Sequence, residues 1–340
     1  MIIDARAAAR REIGGVERVT MEMAARLPQL RPDRYAVMRP PGALAYRAGH
    51  LWEQALLPAV TRQARVLYCP ANLAPAVSTR TVVVIHDAAA LRHPGWYSPV
   101  YASYQQQLLP LLARRARLVI APSEHVRAEL AELFRLPTER VVAIAPGVDP
   151  SFAAAGDPAP LLRRLGLERP YVLALGTDSP RKNLGLLDAI APKLEADGLA
   201  VVIAGSSRSY LPTTSGGAGA RRLGYVPDRD LPELYRGAAA FAMPSLYEGF
   251  GLPCVEAMAA GTPVVAADRG ALPEACGGAA LLVDPADPDA FAAALLRAAG
   301  PERDRLMTAG RERAAGLTWQ RTAEAVDRAL EPLLATDRGR

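Results

Sequence analysis

The sequence predicts an α/β protein built from two successive, doubly wound, parallel-sheet domains. Three observations carry this. The chain has 340 residues and 50% hydrophobic content, enough to bury more than one core. Short β-branched runs alternate with longer helical patterns, the mark of βαβ units. The alternation breaks once, in a turn-rich stretch, and then starts again.

In the first half the strand-like runs are Val66 to Tyr68, Thr81 to Ile85, Leu118 to Ala121 and Val141 to Ile144, after a short apolar start at Ile2 and Ile3. An amphipathic helix is expected after Gly15, with Val16, Val19, Met23 and Leu27 on one face. The break is Pro146-Gly147-Val148-Asp149-Pro150 and the Ala/Gly/Pro stretch running to Pro160. The strand pattern resumes at Tyr171 to Leu175, Val201 to Ala204, Ala239 to Met243 and Val264 to Ala267. The expected domains are therefore 1–150 and 151–317. A final helical pattern in 318–340, through Thr318, Ala323, Val326, Leu330 and Leu333, is expected to pack back across the linker onto the first domain. Two such domains facing each other would form a cleft, with ligands outside the carboxyl ends of the strands.

No run of eighteen uncharged apolar residues occurs, and the apolar start runs straight into Arg6, Arg10 and Arg11. Neither a signal peptide nor a membrane span is expected, and a cytoplasmic location fits. Cys69, Cys254 and Cys276 are an odd count without CxxC spacing, which supports neither a disulfide framework nor a zinc site. Residues 1–150 hold 19 arginines against 12 acidic residues, so the basic half is expected to face something anionic. The arginines are scattered and lack interleaved aromatics, which argues against nucleic acid. A phosphorylated or lipid-borne acceptor, with peripheral contact to an anionic membrane surface, is the expected partner.

The most informative segment is Pro244-Ser245-Leu246-Tyr247-Glu248-Gly249-Phe250-Gly251-Leu252-Pro253-Cys254-Val255-Glu256. It follows a strand and opens a helix, with Pro253 near the first turn. Glu256 is the only charge between Glu248 and Asp268 and is expected to be partly buried, where a carboxylate needs hydrogen-bond donors. A ribose diol would supply two. Gly249 and Gly251 let backbone N–H groups approach an anion at the helix end, as a diphosphate requires. The alternative is that Glu256 pairs with an arginine and the glycines only turn the chain.

A second segment, Gly176-Thr177-Asp178-Ser179-Pro180-Arg181-Lys182-Asn183, also follows a strand. It resembles a P-loop superficially, but Arg181 stands where the second glycine belongs. Adjacent guanidinium and ammonium groups can neutralise a departing nucleotide diphosphate. Solvated loop charges are the alternative. Weaker signals are Gly14-Gly15 between the first strand and the first helix, and His86-Asp87 at the end of the run from Thr81, where a structural histidine is the alternative.

The motif E-G-F-G-L-P-C-V-E resembles the E-x7-E motif of glycosyltransferase family 4, the retaining "group 1" glycosyl transferases with the GT-B fold, and the other segments follow in consistent order. The resemblance implies that Glu248 meets the donor sugar and Glu256 the ribose. It implies that Gly249, Phe250, Gly251 and Leu252 line sugar and phosphates, and that Arg181 and Lys182 stabilise the leaving diphosphate beside Gly176. His86 would lie against the donor sugar, Gly14 and Gly15 near donor phosphate and acceptor, and backbone near Val226 at the nucleobase. The implied catalytic set is His86, Glu248, Arg181 and Lys182. The implied activity is metal-independent, retaining transfer of a hexose from a nucleotide-sugar donor, GDP-mannose ahead of UDP-sugars, to a glycan, lipid-linked or small-molecule acceptor. The nucleotide-sugar is a substrate, and no cofactor is expected.

Asp228-Arg229-Asp230 has the D-x-D shape of a metal site but reads better as a helix cap at Asp230. Asp284, Asp287 and Asp289 lack EF-hand spacing, and Asp287 reads as a cap before Pro288. No G-x-G-x-x-G follows the first strand, which disfavours a dehydrogenase. A nucleotide-sugar epimerase and a non-catalytic nucleotide-sugar-binding protein share the expected architecture and stay open. A pyridoxal-dependent phosphorylase would have only Lys182 or Lys193 to hold its cofactor.

Overall fold

The computed structural model describes residues 1–9, 13–42, 49–168, 170–205 and 219–335. Arg10, Arg11 and residues 336–340 of the final segment lie outside them. The chain folds as two compact units, Met1–Arg92 with Ala102–Gly147 and Trp319–Arg340, and His93–Tyr101 with Val148–Thr318.

Among the described residues the first unit has a six-stranded parallel sheet: β1 Ile2–Asp4, β2 Ala36–Met38, β3 Leu67–Cys69, β4 Thr81–Val84, β5 Leu118–Ala121 and β6 Val141–Ala143, in the order β2-β1-β3-β4-β5-β6. Helices α1 Gly15–Leu30, α2 Pro99–Arg115 and α3 Glu124–Phe134 belong to the connections. The apolar runs become the buried strands, and Val83, Val119 and Ile85 are wholly covered. Val19, Met23 and Leu27 form the buried stripe of α1. Ser123 starts α3, its hydroxyl accepting from Val126 N at 3.1 Å.

The second unit repeats the plan with β7 Tyr171–Leu175, β8 Ala200–Ala204, β9 Arg221–Gly224, β10 Ala240–Met243, β11 Val264–Ala267 and β12 Leu281–Val283, all parallel, in the order β12-β11-β10-β7-β8-β9. Its helices are α4 Leu184–Ala196, α5 Leu231–Arg236, α6 Leu252–Ala259, α7 Leu272–Cys276, α8 Pro288–Ala299 and α9 Arg303–Ala315. The order reverses between β7 and β10, and such a switch point leaves a crevice outside the carboxyl ends of the two strands. The loops after Leu175 and Met243 are the two that open there. Asp287 caps α8, accepting from Ala290 N at 2.9 Å. Asp230 does not act as expected: its carboxylate makes no cap bond and instead pairs with Arg164 at 2.6 Å.

The chain returns to the first unit in α10, Trp319–Leu330, which buries Trp319, Ala323, Val326 and Leu330. Buried Asp327 accepts from Tyr35 Oη at 2.6 Å and Arg34 Nη1 at 2.9 Å. A polar anchor of this kind fixes α10 against the end of α1, because breaking it would leave a carboxylate buried without partners.

Among the described residues no helix is long and apolar enough to cross a membrane. Cys69, Cys254 and Cys276 are buried free thiols.

Candidate functional site

In the second unit the β7 and β10 loops are stitched together by backbone. Leu246 N donates to Arg181 O at 2.9 Å, and Asn183 Nδ2 donates to Pro244 O at 3.2 Å. Asn183 takes φ of 50°, a left-handed turn that ends the Pro180–Lys182 single turn and starts α4. This stitching delivers three charged side chains to one point. Arg181 Nη1 donates to Glu248 Oε2 at 2.8 Å and to Tyr247 O at 3.1 Å, while Lys182 Nζ stands 2.8 Å from Glu248 Oε1.

Lys182 and Glu248 are 8% and 7% exposed, so the pair is inside the protein and the solvated-charge alternative for Lys182 does not hold. Burial by itself would raise the Glu248 carboxyl, but the charges of Arg181 and Lys182 outweigh it and hold the group down to about 2. Burial, with Arg181 alongside, lowers the Lys182 ammonium, and Glu248 opposes that shift. Two cations share one carboxylate, an excess of positive charge at the carboxyl ends of the central strands.

Glycines make room around this cluster. A Cβ on Gly176 would lie 3.0 Å from Lys182 Cδ, so the lysine stem packs on the bare backbone. Gly205, after β8, has φ of 146°, and a Cβ there would lie 2.1 Å from Gly176 O. Gly176 N bonds Ala204 O at 3.0 Å, and Gly205 N bonds Gly224 O at 2.8 Å, which carries the ladder across the ends of β7, β8 and β9. Val226 follows β9 and is buried. Gly251 sits at φ of 108° as the residue before α6, and Gly249, Phe250 and Leu252 complete that approach, with Phe250 and Leu252 buried.

Glu256 lies on α6 at 5% exposure, more buried than its sequence setting implies, and accepts from Tyr235 Oη at 3.0 Å. Gly205, Tyr235 and Tyr247 were not among the expected site residues. A lone glycine after a strand and a tyrosine at helical spacing read as ordinary turn and core, and only the three-dimensional contact distinguishes them.

His86, Gly14 and Gly15 belong to the first unit. His86 Nε2 is 2.8 Å from Pro70 O, and His86 N donates to Asn72 Oδ1 at 2.6 Å. A carbonyl only accepts, so the proton sits on Nε2, and neutral His86 presents Nδ1 as an acceptor. Burial lowers the His86 pKa, against the pull of Pro70 O and of the Asp87 and Glu17 carboxylates. Gly14 N donates to the buried Glu17 carboxylate at 3.1 Å, fixing the glycine pair at the start of α1. Arg6 is buried and bonded through Nε to Glu53 Oε1 at 2.7 Å, beside Asp4 at the end of β1.

Among the described residues no three His, Cys, Asp or Glu side chains cluster so as to hold a metal ion.

A model of Glycosyltransferase Family 4 matches residues 13–152, and a model of Glycosyl transferases group 1 matches residues 169–300. The chain is 34% identical over 231 residues to O-antigen chain mannosyltransferase B of Escherichia coli, a match covering 64% of this chain and 61% of that protein. The chain thus spans about three fifths of the length of that relative. Sucrose-phosphate synthase of Thermosynechococcus elongatus superposes with a TM-score of 0.74 at 20% identity, over 99% of this chain and 100% of that one. Anabaena HepE, solved in complex with UDP-glucose, superposes with a TM-score of 0.71 at 20% identity, over 98% of this chain and 99% of that one. The likeness shows that this chain has the GT-B fold, here with two parallel six-stranded sheets among the described residues. With one family model on each sheet-bearing half and the motifs of both halves in order, the chain belongs to the group 1 glycosyl transferases of glycosyltransferase family 4.

Proposed function

We propose that the chain is a retaining, metal-independent glycosyltransferase that moves a hexose from a nucleotide-sugar to a hydroxyl of a glycan, lipid-linked or small-molecule acceptor. The observation that carries this reading is the buried Glu248–Lys182 pair, joined by half-buried Arg181, at the switch point of the second sheet. The donor diphosphate takes Arg181 and Lys182 as its counter-ions, aided by the N-terminus of α6. Glu248, released from its cations, turns its oxygens to the hydroxyls of the sugar. Glu256 accepts from the ribose diol, and backbone near Val226 meets the base.

In the transfer step the acceptor hydroxyl attacks the anomeric carbon from the face the diphosphate leaves. The anomeric C–O bond to phosphate breaks, a new C–O bond to the acceptor forms, and the acceptor proton passes to the departing phosphate oxygen. Charge builds on the diphosphate, so cations already in place lower the barrier without reorganising. The family resemblance assigns His86, with its free Nδ1 lone pair, to the donor sugar, and Gly14 and Gly15 to phosphate and acceptor.

GDP-mannose is the favoured donor, supported by the name of the Escherichia coli relative, with UDP-sugars next, supported by the ligand of HepE. A thermal-shift panel of GDP, UDP, ADP and their sugars, in EDTA, tests the reading on the wild type and Glu256→Ala. A ligand at 100 times its Kd stabilises by about 2.7 kcal/mol. A shift with one base, lost in the variant, is expected; no shift with any nucleotide would sink the assignment.

A further inference from the structure

The stretch His93–Tyr101 comes from the first half of the sequence, yet it belongs to the second unit. Three of its residues, Trp96, Tyr97 and Tyr101, are aromatic, in a chain with only 6% aromatic residues. All three are half-buried, so their rings serve contacts at the surface of the unit and not its core. Pro94–Trp96 forms a single tight turn, in which Trp96 N donates to His93 O at 3.0 Å and Tyr97 N to Pro94 O at 3.1 Å. The turn lays the exposed His93 ring flat on Trp96, with centroids 3.9 Å apart and planes 18° from parallel. The same imidazole meets Tyr247 edge-on, at 6.0 Å and 68°. Stacked and edge-to-face rings attract each other and fix each other's orientation.

Tyr247 is the residue before Glu248 and is buried. His93 holds its ring, and the loop after β11 holds its backbone: a Cβ on Gly270 would lie 3.9 Å from Tyr247 Cα and 3.3 Å from Glu248 O. The Tyr247 carbonyl accepts from Arg181 Nη1 at 3.1 Å. Arg181 thus makes two bonds here, and a donor diphosphate competes for only one of them, the charge-assisted bond to the Glu248 carboxylate. The bond to the neutral carbonyl can persist and aim the guanidinium. Ring and carbonyl belong to one residue, so what fixes the ring fixes the aim.

We propose that His93 is a positioning residue for the donor site: seated on Trp96, it fixes Tyr247, and Tyr247 aims Arg181 at the phosphate that carries the sugar. The inference rests on the transfer reading of that cluster. It uses the flat ring of His93 and not its nitrogens, so another flat ring can stand in its place.

Calorimetric titration of the whole chain with GDP and UDP, and with GMP and UMP, tests it on the wild type, His93→Ala and His93→Phe. His93→Ala should raise the Kd of the diphosphate that binds about two- to tenfold, the worth of one aromatic pair. The Kd of the matching monophosphate should stay unchanged, because that ligand lacks the phosphate Arg181 serves. His93→Phe should restore the wild-type value. Unchanged diphosphate binding by His93→Ala would overturn the proposal. So would equal weakening of both nucleotides with a lower melting temperature, the mark of a merely structural role. A phenylalanine variant as weak as the alanine one would also overturn it, by giving the imidazole nitrogens a direct part. A wild type that binds none of the four nucleotides would instead sink the donor-site reading on which the inference stands.

Discussion

The Tyr235 hydroxyl donates a 3.0 Å hydrogen bond to Glu256 Oε2 in the interior of the second unit. Tyr235 is itself immobilised: it is wholly buried, its ring meets Phe152 and Phe241 edge-on, and its carbonyl accepts from Thr262 Oγ1 at 2.7 Å. A carboxylate aimed by so rigid a donor loses little entropy on meeting a ligand.

Tyr235→Phe removes that donor and little else. It is expected to raise the donor KM about five- to tenfold, the net worth of one typical hydrogen bond, with kcat changed much less. Steady-state kinetics with varied donor checks this. An equal fall in kcat with unchanged KM would mean that Tyr235 serves the chemical step or the fold and not Glu256.

The central strands were legible because a buried parallel strand must be a continuous apolar run: Leu118–Ala121, Tyr171–Leu175 and Val264–Ala267 match the expected bounds at both ends. The missed strands β2, β9 and β12 lie at the outer positions of their sheets and are only three or four residues long. The two arginines of β9 hide it further, since an edge strand need not be apolar on both faces. Arg181, Lys182 and Glu248 could be named from their loops. Their mutual pairing could not, because it depends on register between two loops some 67 residues apart in sequence. The burial of Arg6 was not legible for a related reason: it depends on Glu53, and no local pattern links the two.

Gly205 and Gly176 are expected to differ sharply when replaced by alanine. At Gly205 the new methyl would meet the Gly176 carbonyl at 2.1 Å in a left-handed backbone, and backbone cannot swing aside. A loss of roughly 2 to 4 kcal/mol in urea unfolding is expected there. At Gly176 the neighbour is the flexible Lys182 stem at 3.0 Å. Gly176→Ala should cost under about 1.5 kcal/mol yet lower transfer activity by displacing the ammonium. Equal destabilisation by both would refute this ordering.

Glu248 contributes to the acid dependence of the second unit's stability. Its carboxyl sits at about 2 in the folded protein against an ordinary 4.5, so folding favours the ionised form. The stability this contributes is complete above 4.5 and is lost as the pH falls from there toward 2, on the order of 3 kcal/mol in all. Glu248→Gln removes the titration: its unfolding free energy should be lower at neutral pH, because Arg181 and Lys182 lose their buried counter-ion, and flatter across the acid range. The same variant frees both cations for an anion. Nucleoside diphosphate should therefore bind it at least as tightly as the wild type, while sugar transfer falls by orders of magnitude. Urea melts across the acid range, paired with calorimetric titration of GDP and UDP, check both halves. If the variant lost nucleotide binding together with transfer, Glu248 would be organising the loop and not holding its cations in reserve for the donor.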